Sequence, residues 1–304
     1  MSSDITSLIG NTPIVKLRMI VDEGSADVYV KLEYLNPTGS HKDRIAYYMI
    51  RDAEGRGLIR PGDVIVEASS GNTAISVAWI GGLRGYKVKI FVEEGVSEAK
   101  LSLIRALGAE IVKVPLEQGN YADVARRYAE EHGYLFLNQY GNEANVRAHY
   151  ETTGPELLRQ LDGRIDAFIM GIGTCGTIAG VGRFLRERLG GKVKIIGVIP
   201  RGSRIIHEHG KPDKIEGLAS DLVPEIWSRY RHIMNEIIEV SYDDSVQTMK
   251  KLIRYEGILG GPSTGANIYV ALKIAKRLER GVVATIAPDT ILKYPHLLSE
   301  LDEF

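Results

Sequence analysis

Cysteine is almost absent. Cys175 is the one cysteine in 304 residues, which excludes an internal disulfide and a structural zinc site built on thiolates. Glutamine is scarce, with only Gln118, Gln139, Gln160 and Gln247 among many charged residues, a balance that heat-stable proteins share. Neither charge dominates: 38 basic and 39 acidic side chains leave a net charge of -1, with no block of one sign. A nucleic-acid footprint or a polybasic membrane anchor therefore has nothing to rest on. Apolar runs such as 166–170 end within half a dozen positions, far short of the roughly 20 residues of a membrane span. The polar start Met1-Ser2-Ser3-Asp4 lacks the basic and apolar regions of a signal peptide, so a cytoplasmic location is expected. His207-Glu208-His209 lacks the i, i+4 spacing of helical zinc ligands. No metal is expected, and the expected partners are small molecules.

Glycine is what the chain has in excess, 33 residues where the usual ~7% would give fewer. No tandem repeat or low-complexity tract holds them, so they belong to particular turns and close approaches. Length and a 44% hydrophobic content suit about two globular domains. Short β-branched runs alternate with longer helical patterns, the signature of α/β architecture with parallel sheets. Expected strands are 27–32, 64–67, 87–92, 110–114, 166–170, 194–199, 237–240 and 282–287. Expected helices are 42–54, 73–83, 97–107, 121–131, 145–161, 177–189, 243–256 and 265–278.

Four segments carry possible chemistry. In Asn36-Pro37-Thr38-Gly39-Ser40-His41-Lys42-Asp43-Arg44 a turn-rich loop runs into a helix with a lysine at the junction. Desolvation and a neighbouring cation disfavour the ammonium form and make such an amine a nucleophile toward an aldehyde, although a solvated helix-start lysine explains the segment alone better. In Glu67-Ala68-Ser69-Ser70-Gly71-Asn72-Thr73 a strand closes on small hydroxyl residues and a helix begins. That is either an anion seat or an ordinary N-cap by Ser70 or Asn72. Gly171-Ile172-Gly173-Thr174-Cys175-Gly176-Thr177 reads G-x-G-x-x-G, but a dinucleotide site wants an acid about 20 positions on. Ile199-Pro200-Arg201 stands there, which counts against NAD and leaves NADP open. Small residues wrapping one phosphate fit better, with Thr174 and Thr177 as added donors. Finally, Glu256-Gly257-Ile258-Leu259-Gly260-Gly261-Pro262-Ser263-Thr264-Gly265-Ala266 either presents the Ser263 hydroxyl to a flat heteroaromatic ligand or caps a helix.

Together, in this order, the four segments resemble the pyridoxal-phosphate enzymes of fold type II, and more narrowly the cysteine synthases (O-acetylserine sulfhydrylases) and the catalytic core of cystathionine β-synthase. The resemblance runs from the LIGNTP stretch at Leu8–Pro13 to about Pro288. It implies two α/β domains, each a mainly parallel twisted sheet flanked by helices, one spanning 35–145 and the other 13–34 with 146–304, with pyridoxal 5'-phosphate in the cleft between them. It implies Lys42 as the Schiff-base lysine, Asn72 at the ring oxygen, and Gly173, Thr174, Cys175, Gly176 and Thr177 around the phosphate. Ser263 would meet the pyridine nitrogen, while Ser69, Ser70, Thr73 and Gln139 would hold the substrate carboxylate. The implied reaction is β-replacement through an α-aminoacrylate, making L-cysteine from O-acetylserine or O-phosphoserine and sulfide, in a homodimer.

Departures from the family pattern are confined. Cys175 replaces a glycine in the phosphate loop, Ala219, Ser220 and Asp221 replace family glycines in a substrate-side loop, and Ile291, Leu292 and Lys293 depart from the family's PDSGERY. Arg201 and Arg204 are candidates for clamping an O-phosphoserine phosphate. The chain ends at Phe304, so control by a regulatory tail domain is not expected. The alternatives are cystathionine β-synthase, with homocysteine as second substrate, then a serine or threonine dehydratase, then an NADP-binding oxidoreductase.

Overall fold

The structure, a computed structural model, describes residues 4–96, 98–218 and 222–298. In chain order the strands are β1 (Ile14–Lys16), β2 (Asp27–Leu32), β3 (Val64–Ala68), β4 (Lys87–Glu93), β5 (Glu110–Val114), β6 (Leu135–Phe136), β7 (Ala167–Gly171), β8 (Lys194–Pro200), β9 (Glu236–Val240) and β10 (Val282–Ala287). The α-helices are α1 (Lys42–Gly55), α2 (Asn72–Leu83), α3 (Glu98–Ala106), α4 (Tyr121–His132), α5 (Glu143–Ala148), α6 (Gly154–Gln160), α7 (Gly176–Leu189), α8 (Glu225–Tyr230), α9 (Tyr242–Lys251), α10 (Pro262–Leu278) and α11 (Pro295–Leu298). They form two compact units, one from the segments up to Ile9 and Lys42–Ala148, the other from Gly10–His41 and from His149 onward.

The first unit holds a four-stranded sheet in the order β5-β4-β3-β6, parallel throughout. Its inner strand β3 is buried on both faces because helices cover both, and apart from Glu67 it is apolar. Ile65 packs with Ile45 and Met49 of α1 and Val77 of α2. Val66 and Ala68 point the other way, onto Ala125 and Ala129 of α4. The second unit holds six strands in the order β1-β2-β10-β7-β8-β9. All pairs are parallel except β1, which runs antiparallel along the edge of β2. Val30, Ile169, Val198 and Val283 build its core against Ala266, Val270 and Ile274 of α10.

The architecture is the α/β one read from the sequence, and the differences have local causes. Strands β1 and β6, of three and two residues, are too short to show a period. The expected helix 145–161 is three pieces: α5, a wide π turn over His149–Thr153, and α6. Pro155 lacks the N–H that would carry an unbroken ladder through the junction. The expected helix 243–256 likewise ends in a π turn at Leu252–Glu256. Ser97, expected to open a helix, lies outside the described residues. Residues 35–41, grouped from the sequence with the first domain, fall in the second unit, and 146–148 in the first. The reason for the former is backbone pairing: His41 N–H donates to Pro288 at 2.9 Å, and Ser40 bridges Asp289. Among the described residues no helix is long and apolar enough to cross a membrane, and no group of three metal-ligating side chains occurs.

Candidate active site

The LIGNTP stretch clamps the loop that leads to Lys42. Gly10 N–H donates to Asn36 Oδ1 at 2.8 Å, and the Thr12 hydroxyl donates to Glu33 Oε1 at 2.6 Å. Asn36 Nδ2 closes the loop on the Glu33 carbonyl at 2.7 Å and on its carboxylate at 2.9 Å. Buried Lys31 donates to the Thr12 carbonyl at 2.8 Å and pairs with Glu156 at 2.8 Å. A buried polar network satisfied this completely rigidifies what it holds, here the backbone up to His41. Lys42 is the next residue, the first of α1, and is half-buried. Behind it, buried Asp43 accepts from the Ser76 hydroxyl at 2.6 Å.

In the same unit, strand β3 delivers the small-hydroxyl turn. Ser69 is buried, and its Oγ accepts from Gly71 N–H at 3.2 Å. Gly71 caps α2 without a side-chain hydrogen bond, so the helix's first N–H groups remain directed at whatever lies beyond them, as an anion seat needs. The N-cap by Ser70 or Asn72 weighed from the sequence is not formed. The Thr73 hydroxyl donates to Gln139 Oε1 at 2.6 Å, and Gln139 Nε2 donates to the Ala68 carbonyl at 3.1 Å. Asn145 Nδ2 in turn holds the Gln139 carbonyl at 2.8 Å. Ser69, Thr73 and Gln139 are thus brought together, with Ser70 and Asn72 half-buried on the same turn. Just before it, Glu67 is fully buried, and burial pushes its carboxyl up to about 8 against the opposing pull of the Ala68 and Gln139 backbone and of Lys42.

The second unit supplies the other group of residues. Strand β7 ends at Gly171 and α7 begins at Gly176. A Cβ on Gly173 would stand 2.6 Å from the Gly217 carbonyl oxygen, and one on Gly217 would stand 3.4 Å from Ser263 Oγ. The loop, Gly217 and Ser263 therefore pack together, and Ser263, in the first turn of α10, is buried. Thr174 and Thr177 are buried beside the α7 N-terminus. Cys175 takes the left-handed conformation at φ 70° and caps α7 with no side-chain hydrogen bond, at a cost of about 1–2 kcal/mol for a residue with a Cβ. Burial pushes its thiol up to about 12, so at neutral pH it fills space and does not attack.

Two residues outside the sequence reading join these groups. His149, buried on the π turn, meets Thr177 Oγ1 through Nε2 at 3.1 Å and Thr153 Oγ1 through Nδ1 at 2.9 Å. Nothing in a helical pattern distinguishes such a histidine. Gly217 carries no signal in the sequence beyond being one of 33 glycines. The positions 219–221 of that loop lie outside the described residues. Farther along, Ile291 is buried with Val246, Met249, Tyr294 and Leu297, whereas Leu292 is exposed. The Tyr294 hydroxyl donates to Asp289. Arg201 pairs with Asp213 at 3.2 Å and Arg204 Nε donates to the Gly210 carbonyl at 3.3 Å, both on an exposed segment.

Chemically, the second unit offers a cradle where backbone leaves no room for a Cβ, helix N–H groups and two threonine hydroxyls. That donor set suits a phosphate monoester, and Ser263 adds a neutral hydroxyl for a ring nitrogen. The first unit offers an amine at a helix start and a carboxylate seat. No acid stands on the strand after the glycine loop to hold a ribose, which counts against NAD.

Comparison with known proteins agrees with this chemistry. A family model described as pyridoxal-phosphate dependent enzyme matches residues 5–289. A cysteine synthase of Staphylococcus aureus is 43% identical over 297 residues, 96% of this chain and 94% of that protein. A cystathionine beta-synthase of Apis mellifera is 40% identical over 305 residues, 96% of this chain but 60% of that protein. The crystal structure of O-ureido-L-serine synthase superposes with a TM-score of 0.93 at 35% identity, covering 100% of this chain and 97% of that one.

Proposed function

Because the chain belongs to the family of pyridoxal-phosphate-dependent enzymes, we infer that it makes L-cysteine by β-replacement on an activated serine, O-acetylserine or O-phosphoserine, with sulfide. The observation that carries this reading is the pairing, inside one unit, of an amine at the head of α1 with the Thr73–Gln139 seat. That is a base for Cα and a holder for the neighbouring carboxylate.

Bound pyridoxal phosphate supplies an electron sink for the pair left at Cα when its proton is removed. Lys42 would hold the cofactor and, as a free amine, would take the Cα proton and return it. Ser69, Ser70, Thr73 and Gln139 bind the substrate carboxylate and fix which face of Cα the lysine meets. Gly173 and Thr174 through Thr177 hold the phosphate, and Asn72 orients the ring oxygen. Ser263 would meet the ring nitrogen with a neutral hydroxyl, a partner that would favour loss of a β-substituent over transamination. Arg201 and Arg204 are engaged with Asp213 and Gly210, so the reading assigns them no phosphate clamp. It takes the protein as a cytoplasmic homodimer.

The test is incubation with O-acetylserine, O-phosphoserine and serine separately, followed by sulfide or by homocysteine. Cysteine formed from sulfide is the expected result; cystathionine as the sole product overturns it in favour of the relative from Apis mellifera. Lys42→Ala should abolish the borohydride-fixable attachment of pyridoxal phosphate. A wild type that stays colourless with added cofactor overturns the whole reading.

A further inference from the structure

Glu67 is an acid buried in a place where an uncharged side chain would pack more easily. It lies on β3 between Val66 and Ala68, which face α4. Strand alternation puts it on the same face as Ile65, the face covered by α1 and α2. Helix α1 begins on that face with Lys42. The carboxyl is 0% exposed. Its Oε1 accepts from Ala68 N–H at 2.9 Å, and its Oε2 is buried with no hydrogen bond. A core position that tolerates an unsatisfied carboxyl oxygen calls for a reason beyond packing.

The charges around Glu67 are few. Helix α2 carries none between Asn72 and Leu83. On β4 the residue beside Glu67 is Ile90, while Lys89 lies beside Val66 and pairs with Glu110. From α1 come Lys42, Asp43 and Arg44, of which Asp43 is held by Ser76. Tyr140, beyond β6, is a phenol held neutral by burial with Glu67 adding to the effect. Lys42 opens α1 over this face, and its charge favours the ionised form of Glu67 against the larger effect of burial.

We propose that Glu67 is a positioning residue for the reaction, a buried carboxyl group that sets the charge on the Lys42 amine and is itself set by it. The proposal rests on the reading of Lys42 as the reacting amine. An ionised Glu67 favours the Lys42 ammonium and so withholds the base; a neutral Glu67 frees it. The same coupling lets the buried face stay close to neutral whether Lys42 is bonded or protonated, which a glutamine cannot do.

The experiment uses the cofactor-free protein, full length, and measures acylation of Lys42 against pH by mass spectrometry of its peptide. Glu67→Gln should make the amine reactive at a pH lower by about one unit, because loss of a neighbouring negative charge disfavours the ammonium form. Glu67→Asp should return the profile toward the wild type. An unchanged profile in Glu67→Gln overturns the proposal. Should that variant not fold, the wild type decides by infrared titration with labelled glutamate. A protonated buried carboxyl that ionises as Lys42 reactivity changes supports the coupling, and the lack of such a carboxyl overturns it. These results stand apart from the proposed function, which fails only if wild-type Lys42 does not attach pyridoxal phosphate.

Discussion

Replacing Gly173 with alanine tests the phosphate cradle directly. The added Cβ would stand 2.6 Å from the Gly217 carbonyl oxygen, about 0.8 Å inside the 3.4 Å at which ordinary contact begins. The obstructing atom belongs to the backbone and cannot rotate aside. Relief requires Gly217, at φ 88°, to move, and Gly217 is packed on Ser263. The displacement therefore reaches both the phosphate loop and the hydroxyl assigned to the ring nitrogen. Overpacking of this kind costs about 1–3 kcal/mol, which is about 5- to 150-fold in an equilibrium constant. Pyridoxal phosphate affinity, titrated by absorbance on the cofactor-free protein, should fall by a factor in that range. Gly191→Ala is the control, since nothing lies within 4 Å of its Cβ position. Equal cofactor affinity in Gly173→Ala and wild type would refute the packing of this loop on Gly217.

Thr73→Val leaves Gln139 Oε1 buried without its donor, at about 1–3 kcal/mol; it should raise KM for the serine donor while cofactor affinity stays near wild type, and the reverse pattern would contradict the seat. Cys175 should resist iodoacetamide at neutral pH in the folded protein and react once unfolded, because burial keeps its thiol protonated; fast stoichiometric alkylation of the native protein would show it to be a nucleophile. Glu67 is raised from 4.5 to about 8 by folding, so the folded state binds the extra proton. Its contribution to stability is fully present below about 4.5, declines as pH rises toward 8 and is lost above that. Denaturant titrations across this window should show that decline, and in Glu67→Gln it should be absent.

Much of the fold was legible locally. Eight of the ten strands among the described residues follow from β-branched runs, and β7, apolar and buried along its whole length, is the plainest case. The helices that were misread fail at identifiable points, such as the π turn before Pro155. The site's backbone was legible for a related reason. Lys42, the turn at 69–73 and the loop at 171–177 are short segments whose small residues and helix starts make their chemistry visible without any partner.

Side-chain pairing was not legible in the same way. Thr73 and Gln139 are 66 positions apart, and only the parallel register of β3 with β6 brings them within 2.6 Å. His149 reads as an ordinary helix residue until α7 lays Thr177 against it. Cys175 reads as a departure from glycine, and only its φ and burial define it as inert filling. Glu67 reads as the last polar residue of a strand; which face it occupies, and that Lys42 opens the helix over that face, follow from how the sheet is covered. The sequence by itself determined the α/β alternation, the lysine, the glycine loops and the family they spell, since these are properties of neighbouring residues. Only the tertiary structure decided which distant side chains share a hydrogen bond, where a Cβ has no room and which acid is stripped of water, because those depend on packing across sheet and helix, which no local pattern records.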